Sequence, residues 1–224
     1  KEKAILRKLI DTSTEIITHS YEDRSDVEGL LDEAERAIFE ISENRVKPSF
    51  YSIRDIVKQS FKTIERLYEK KELVTGVPSG YRDLDQRTAG FQPSDLIIVA
   101  GRPSMGKTAF CLNVAQYAAI EKRIPVAIFS LEMSKEQIVI RMLCSEAQVE
   151  GTRLRTGFLT ESDWPRLTLA AGNLSDAPIF IDDAAALSIL ELRAKARRLN
   201  AEHGLGMIMI DYLQLMRGRA KVES

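Results

Sequence analysis

Asp95-Leu-Ile-Ile-Val-Ala100 runs directly into Gly101-Arg-Pro-Ser-Met-Gly106-Lys107-Thr108, and a helix-periodic stretch from Thr108 to Ile120 follows. The short apolar run before the loop predicts a buried strand. Leu112, Ala115 and Ala119 predict a helix with one apolar side. Between them stands G-x-x-x-x-G-K-[ST], in the strand-loop-helix setting that a phosphate-binding loop requires. The glycines Gly101 and Gly106 permit backbone angles closed to other residues. The segment they bracket, Arg102, Pro103, Ser104 and Met105, can then turn its backbone toward one concavity. The helix that follows adds its positive N-terminus where phosphate sits. Lys107 can reach the β- and γ-phosphates of a nucleotide, and the Thr108 hydroxyl can bind Mg²⁺. This stretch predicts a nucleotide site.

Working outward, the chain from Leu73 alternates strands with helices. Strands are predicted over Val126 to Leu131, Pro178 to Ile181 and Met207 to Ile210. Helices are predicted over Ser134 to Ala147, near Ser162 to Gly172, and over Ser188 to Glu202. Such alternation indicates βαβ units, hence an α/β fold with a mainly parallel sheet. No internal repeat is present.

Upstream the grammar is helical. Ile5, Leu6, Leu9, Ile10, Ile16 and Ile17 form one apolar stripe. Ser25-Asp-Val-Glu28 is a capping-box pattern that opens a second helix, which ends between Asn44 and Pro48. Residues 1–47 thus read as a helical hairpin, too small to bury both stripes alone. Residues 48–74 read as a linker with an amphipathic helix, capped at Ser52 and striped by Ile53, Ile56, Val57, Phe61, Ile64, Leu67 and Tyr68. Its face could pack within its own domain or on an adjacent subunit.

Composition adds limits. Of 224 residues, 44% are hydrophobic, which excludes a wholly disordered chain, and 32 basic side chains balance 33 acidic ones, so no basic excess advertises nucleic acid. Cys111 and Cys144 lack metal-ligand spacing and read as packing residues of a reducing compartment. His19 and His203 form no pair. No apolar run reaches the length of a membrane span, and Lys1-Glu-Lys3 lacks a signal-peptide core. The missing initiator Met, with both ends cutting through structured sequence, reads as a fragment.

Phosphoryl transfer also needs a carboxylate near Mg²⁺ and a group to orient or deprotonate water. Glu132 follows the strand that ends at Leu131, on the same sheet edge as the phosphate loop. It could equally be favourable charge at the next helix N-terminus, which Ser134 can cap. Asp182-Asp183 and Asp211 each follow an apolar strand, and either could serve Mg²⁺ or cap a turn. Gln214 could sense the γ-phosphate or be a solvated loop amide.

Several segments together carry a family likeness. Thr75-Gly-Val-Pro-Ser-Gly-Tyr-Arg-Asp-Leu-Asp85, Gly90-Phe-Gln-Pro-Ser-Asp-Leu-Ile-Ile-Val-Ala100, the phosphate loop, Phe129-Ser-Leu-Glu-Met-Ser134 and Ile210-Asp-Tyr-Leu-Gln-Leu-Met216 resemble, in order and spacing, bacterial replicative DNA helicases of the DnaB family. The resemblance implies a RecA-like P-loop NTPase core in a homo-hexameric ring around single-stranded DNA at the replication fork. It implies Glu132 as the base that activates water, Asp211 as support for Mg²⁺, Gln214 as the sensor of nucleotide state, and Asp182-Asp183 as structural. It also implies a linker helix docked on the neighbouring subunit, primase and a helicase loader as partners, and a cytoplasmic, nucleoid-associated bacterial setting without a membrane.

Under the resemblance, residues 1–47 end an N-terminal collar and residues 75–224 begin an ATPase domain that is truncated at its C-terminus. Family members continue with further strands, DNA-binding loops and an arginine finger. Such a finger is worth about 10³ to 10⁵ in rate in related systems. This chain alone is therefore expected to bind ATP–Mg²⁺ and hydrolyse it weakly. Arg193, Lys195, Arg197 and Arg198 read as a solvated helix face. Arg217, Arg219 and Lys221 lie nearer the catalytic edge but lack interleaved aromatics for base stacking. A reading from another class is a nucleotide-gated assembly or partner-binding protein without helicase activity.

Overall fold

The computed structural model describes residues 2–21, 29–30, 33–34, 37–38, 41, 52–70 and 73–217. The chain divides into two compact units, Lys1–Lys70 and Lys71–Ser224.

In the first unit, α1 spans Glu2–Tyr21 and α2 spans Ile53–Lys70. The opening of the second hairpin helix at Ser25 and its end near Pro48 lie outside the described residues. The stripe of α2 stays exposed, from 41% at Leu67 to 75% at Tyr68, so no described residue of its own unit covers it. An 18-residue helix with an uncovered apolar face gains little from its own propensity.

The second unit holds α3 (Arg82–Thr88), α4 (Lys107–Lys122), β1 (Val126–Ser130), α5 (Lys135–Ala147), α6 (Gly151–Thr156), α7 (Asp163–Ser175), β2 (Ile179–Asp182), α8 (Ile189–His203) and β3 (Met207–Asp211). A 3₁₀ turn, Leu213–Leu215, follows β3. The three strands pair in parallel in the order β2-β1-β3. Side-chain alternation along β1 divides the core. Val126 and Ile128 face Leu112, Ala115, Ala118 and Ala119 of α4 and Ile138 and Met142 of α5. Ala127 and Phe129 face Leu187 and, on α8, Leu192 and Ala196. Helices therefore cover both faces of the central strand, as a parallel sheet requires.

Local signals explain most element ends. Ser134 and Ser188 open α5 and α8 with complete capping boxes, closed by Gln137 and Glu191. α6 occupies a stretch that the sequence reads only as polar. One expectation fails. Residues 95–100 form no strand, and Leu96 and Ile98 are 83% and 71% exposed. A strand exists only where a neighbour completes its hydrogen bonds, and no strand among the described residues pairs with this one.

The Thr75 to Asp85 segment is also tied down. Val77 bridges Phe91. The buried Asp85 carboxylate accepts from Ser79 N (2.8 Å) and Gly80 N (3.2 Å). Tyr81 then stacks on Phe110 of α4, ring centroids 5.2 Å apart, which fixes the segment against the helix that follows the phosphate loop.

Candidate nucleotide-hydrolysis site

The register places the site. Ser130 pairs with Asp211 and Phe129 with Asp182, so β1, β2 and β3 end level with one another. Open α/β sheets bind ligands at this carboxyl edge.

Gly106 caps α4 at φ 85°, in the left-handed region, and offers no side chain to the helix N-terminus. The first N–H groups of α4 thus lack an intrahelical acceptor and face outward, which suits an anion. Gly101 does not take a positive φ; Ser104 does, at 63°. Of the two loop glycines, Gly106 alone takes the left-handed backbone, and Ser104 shares it. Met105 N donates to Arg102 O at 3.3 Å and closes the loop over Pro103 and Ser104. Lys107 Nζ donates to Gly101 O at 3.0 Å, a neutral acceptor for which a phosphate oxygen would compete strongly.

The decisive contact spans 103 residues. Thr108 Oγ1 donates to Asp211 Oδ2 at 2.8 Å, joining the start of α4 to the end of β3. Cys111, one turn further along α4, has its thiol pKa pushed up by burial and then by the Asp211 charge. A hydroxyl and a carboxylate at this spacing are hard oxygen donors that fit Mg²⁺. That ion takes one or two protein ligands and completes its shell with phosphate and water. No cluster of three or more His, Cys, Asp or Glu able to hold a metal occurs among the described residues, and Mg²⁺ in such a setting needs none.

Asp182 and Asp183 are engaged elsewhere. Asp182 accepts from Lys195 Nζ (2.6 Å) and Ala184 N (3.0 Å). Asp183 accepts from Lys135 N (3.1 Å), and this bond, with the Lys135 ammonium, holds its carboxyl below the usual carboxylate range. Local sequence left three aspartates open; the tertiary contacts give only Asp211 to the phosphate loop.

Glu132 and Gln214 are exposed at the same edge, without a hydrogen-bond partner among the described residues. The structure thus joins Thr108 with Asp211 and Lys107 with Gly101, while Glu132 and Gln214 approach by position only. On α8, Lys195 is taken by Asp182, and Arg198 pairs with Glu202 at 3.1 Å. Sequence reasoning missed an ion cluster around one buried acid. Asp163, fully enclosed, accepts from Thr160 N and Oγ1 and pairs with Arg166 (2.6 Å) and Arg153 (2.9 Å). Thr160-Glu-Ser-Asp163, a threonine three residues before an acid, was its signal.

A parallel sheet covered on both faces, with a phosphate loop and a Thr–Asp pair at its carboxyl edge, defines a RecA-like P-loop NTPase. Residues 76–224 match the DnaB-like helicase C-terminal domain, and the chain belongs to that family. It is 51% identical over 221 residues to the replicative DNA helicase DnaC of Bacillus subtilis (strain 168), covering 99% of this chain and 49% of that protein. It is 50% identical over 221 residues to the replicative DNA helicase DnaB of Geobacillus stearothermophilus, with the same coverage. The chain thus spans about half the length of these curated relatives. A solved structure of an ATPase domain superposes with TM-score 0.71 at 32% identity, over 79% of this chain and 62% of that one. A solved DnaB-like replicative helicase, described with its interactions with primase, gives 0.67 at 30%, over 100% and 52%. Among the described residues no helix is long and apolar enough to cross a membrane.

Proposed function

We propose that this chain supplies the ATP-hydrolysing site and linker helix of a replicative DNA helicase. In this reading a homo-hexameric ring uses ATP hydrolysis to move along single-stranded DNA and unwind the duplex at the fork. The observation that carries it is the Thr108–Asp211 hydrogen bond, which unites phosphate loop and sheet edge in one site.

The mechanism follows from the residues. The backbone from Gly101 to Thr108 and the α4 N-terminus bind the phosphates. Lys107 leaves the Gly101 carbonyl and pairs with the β- and γ-phosphates. Thr108 and Asp211 would hold Mg²⁺, which would supply charge neutralisation to the phosphates. Glu132 accepts a proton from the attacking water as its oxygen bonds to the γ-phosphorus. The bond to the bridging oxygen breaks and ADP leaves with that electron pair. Gln214, one 3₁₀ turn past Asp211, reports whether the γ-phosphate is present.

Residues 1–47 then close a collar domain, residues 48–74 form the linker, and residues 75–224 belong to the ATPase domain. The exposed α2 stripe suits a neighbouring subunit, and the solved relative described with primase supports primase as a partner. A helicase loader is the further partner this reading entails, in a bacterial cytoplasm at the nucleoid. The test is ATP hydrolysis by the full-length protein with and without single-stranded DNA, beside strand separation on a forked duplex. Stimulation with unwinding is expected. Neither would leave a nucleotide-gated binding protein as the better account.

A further inference from the structure

We propose that Asp183 is a positioning residue for Glu132, fixing from just past the end of the neighbouring strand the turn that carries the general base. The inference rests on the reading of Glu132 as that base. Glu132 sits in the connection between β1 and α5, and its carboxylate has no hydrogen-bond partner among the described residues. Its aim therefore comes entirely from the backbone beneath it.

Beyond the Ser134–Gln137 capping box at the start of α5, three contacts fasten that backbone. Leu131 N donates to Asp211 O at 2.8 Å, tying the entry of the turn to β3. Ser130 Oγ, buried at the end of β1, donates to Met133 O (2.7 Å) and accepts from Met133 N (3.2 Å), closing a ring around Glu132. Asp183 holds the exit. Its Oδ2 accepts from Lys135 N at 3.1 Å, and Lys135 Nζ lies 3.3 and 3.4 Å from its two oxygens.

The first fastening is main chain to main chain and the second lies within the turn. Asp183 provides a side-chain tether from just past the end of another strand. It follows β2 directly, and the register that sets Asp182 level with Phe129 puts it beside the turn. Asp182 is separately committed to Lys195, so the two adjacent acids divide the work. Without Asp183 the first N–H of α5 loses its acceptor, and the exit of the turn is held by the Ser130–Met133 and capping contacts alone. A displacement of about 1 Å at a reacting group can cost about a hundredfold in rate.

The experiment compares wild type, D183A, D183N, E132Q and E132Q/D183A in the full-length protein. It reads single-stranded-DNA-stimulated turnover, affinity for a fluorescent ATP analogue, and thermal melting. D183A should lower kcat about tenfold or more, with nucleotide affinity within about twofold. D183N keeps an acceptor for Lys135 N and should recover most of the loss. It carries the comparison should D183A fail to fold. Because Asp183 acts through Glu132, the double variant should be no slower than E132Q alone. Multiplying losses, equal losses in affinity and kcat, or wild-type turnover in D183A would overturn the proposal, as would a D183N variant no faster than D183A. Full turnover in E132Q would instead remove the Glu132 reading and this inference with it.

Discussion

Replacing Thr108 with Val keeps the branched shape at the start of α4 and removes only the hydroxyl. Thr108 Oγ1 stands 2.8 Å from Asp211 Oδ2, a hydrogen bond to a charged acceptor. Such bonds contribute roughly 1.5–3 kcal/mol, and the partial exposure of both residues points to the lower end, about 1.5 kcal/mol. For a domain of this size that corresponds to a melting decrease of about 3–6 °C. The larger consequence is for the ligand. If the hydroxyl is a Mg²⁺ donor, T108V should weaken ATP–Mg²⁺ binding by about tenfold, the equivalent of about 1.4 kcal/mol. Binding of ATP in chelator should stay within about twofold, since the loop N–H groups and Lys107 remain. Titrating a fluorescent ATP analogue with excess Mg²⁺ and with chelator separates the two. Equal weakening under both conditions would mean that Thr108 shapes the loop; no weakening would remove it from the site.

G106A tests the backbone. A Cβ at Gly106 meets nothing within 4 Å, so its cost is that of φ 85° alone, about 1–2 kcal/mol. Relief of that strain should turn the loop N–H groups away and weaken ATP about tenfold, seen in the same titration. Asp163 tests pH dependence. Hydrogen bonds from Thr160, then Arg166 and Arg153, hold its carboxyl pKa down at about 2. Its contribution to stability is therefore complete above an unfolded-state value of about 4 and is lost as pH falls toward about 2. D163N should melt lower at neutral pH, with the gap closing in acid; melting curves that stay parallel would contradict this. If the α2 stripe docks on a neighbouring subunit, replacing Ile56 and Phe61, 45% and 60% exposed, with Asp should shift the full-length protein to smaller species in sedimentation, and an unchanged profile would contradict that docking. Melting of the ATPase unit should not change.

The phosphate loop was legible because its chemistry is local: Gly106 needs its left-handed backbone, and Lys107 and Thr108 follow on the helix it caps. The capping of α5 was legible for the same reason, since Ser134 and Gln137 sit three apart. What failed was the step from apolarity to pairing. Residues 95–100 have the composition of a buried strand, but composition carries no information about which backbone lies alongside. The choice among Asp182, Asp183 and Asp211 was closed to local reading too. All three follow apolar strands, and only tertiary contacts give Lys195 to the first, Lys135 to the second and Thr108 to the third. The family likeness implies Asp211 as support for Mg²⁺, and its hydrogen bond to Thr108 supports that proposal. Asp163 has local partners three residues to either side, Thr160 and Arg166, but its burial and its pairing with Arg153 on α6 are tertiary and closed to local reading.

The most direct measurement is Glu132→Gln in the full-length protein, a change that keeps the side chain's size and removes its basicity. Nucleotide affinity should be preserved, while single-stranded-DNA-stimulated hydrolysis falls by about 10² to 10⁴, the usual worth of a general base. Unwinding should fall with it. Turnover at the wild-type rate in this variant would contradict the account, because Asp182, Asp183 and Asp211, the other carboxylates at the carboxyl edge of the sheet, are each committed to a partner of their own.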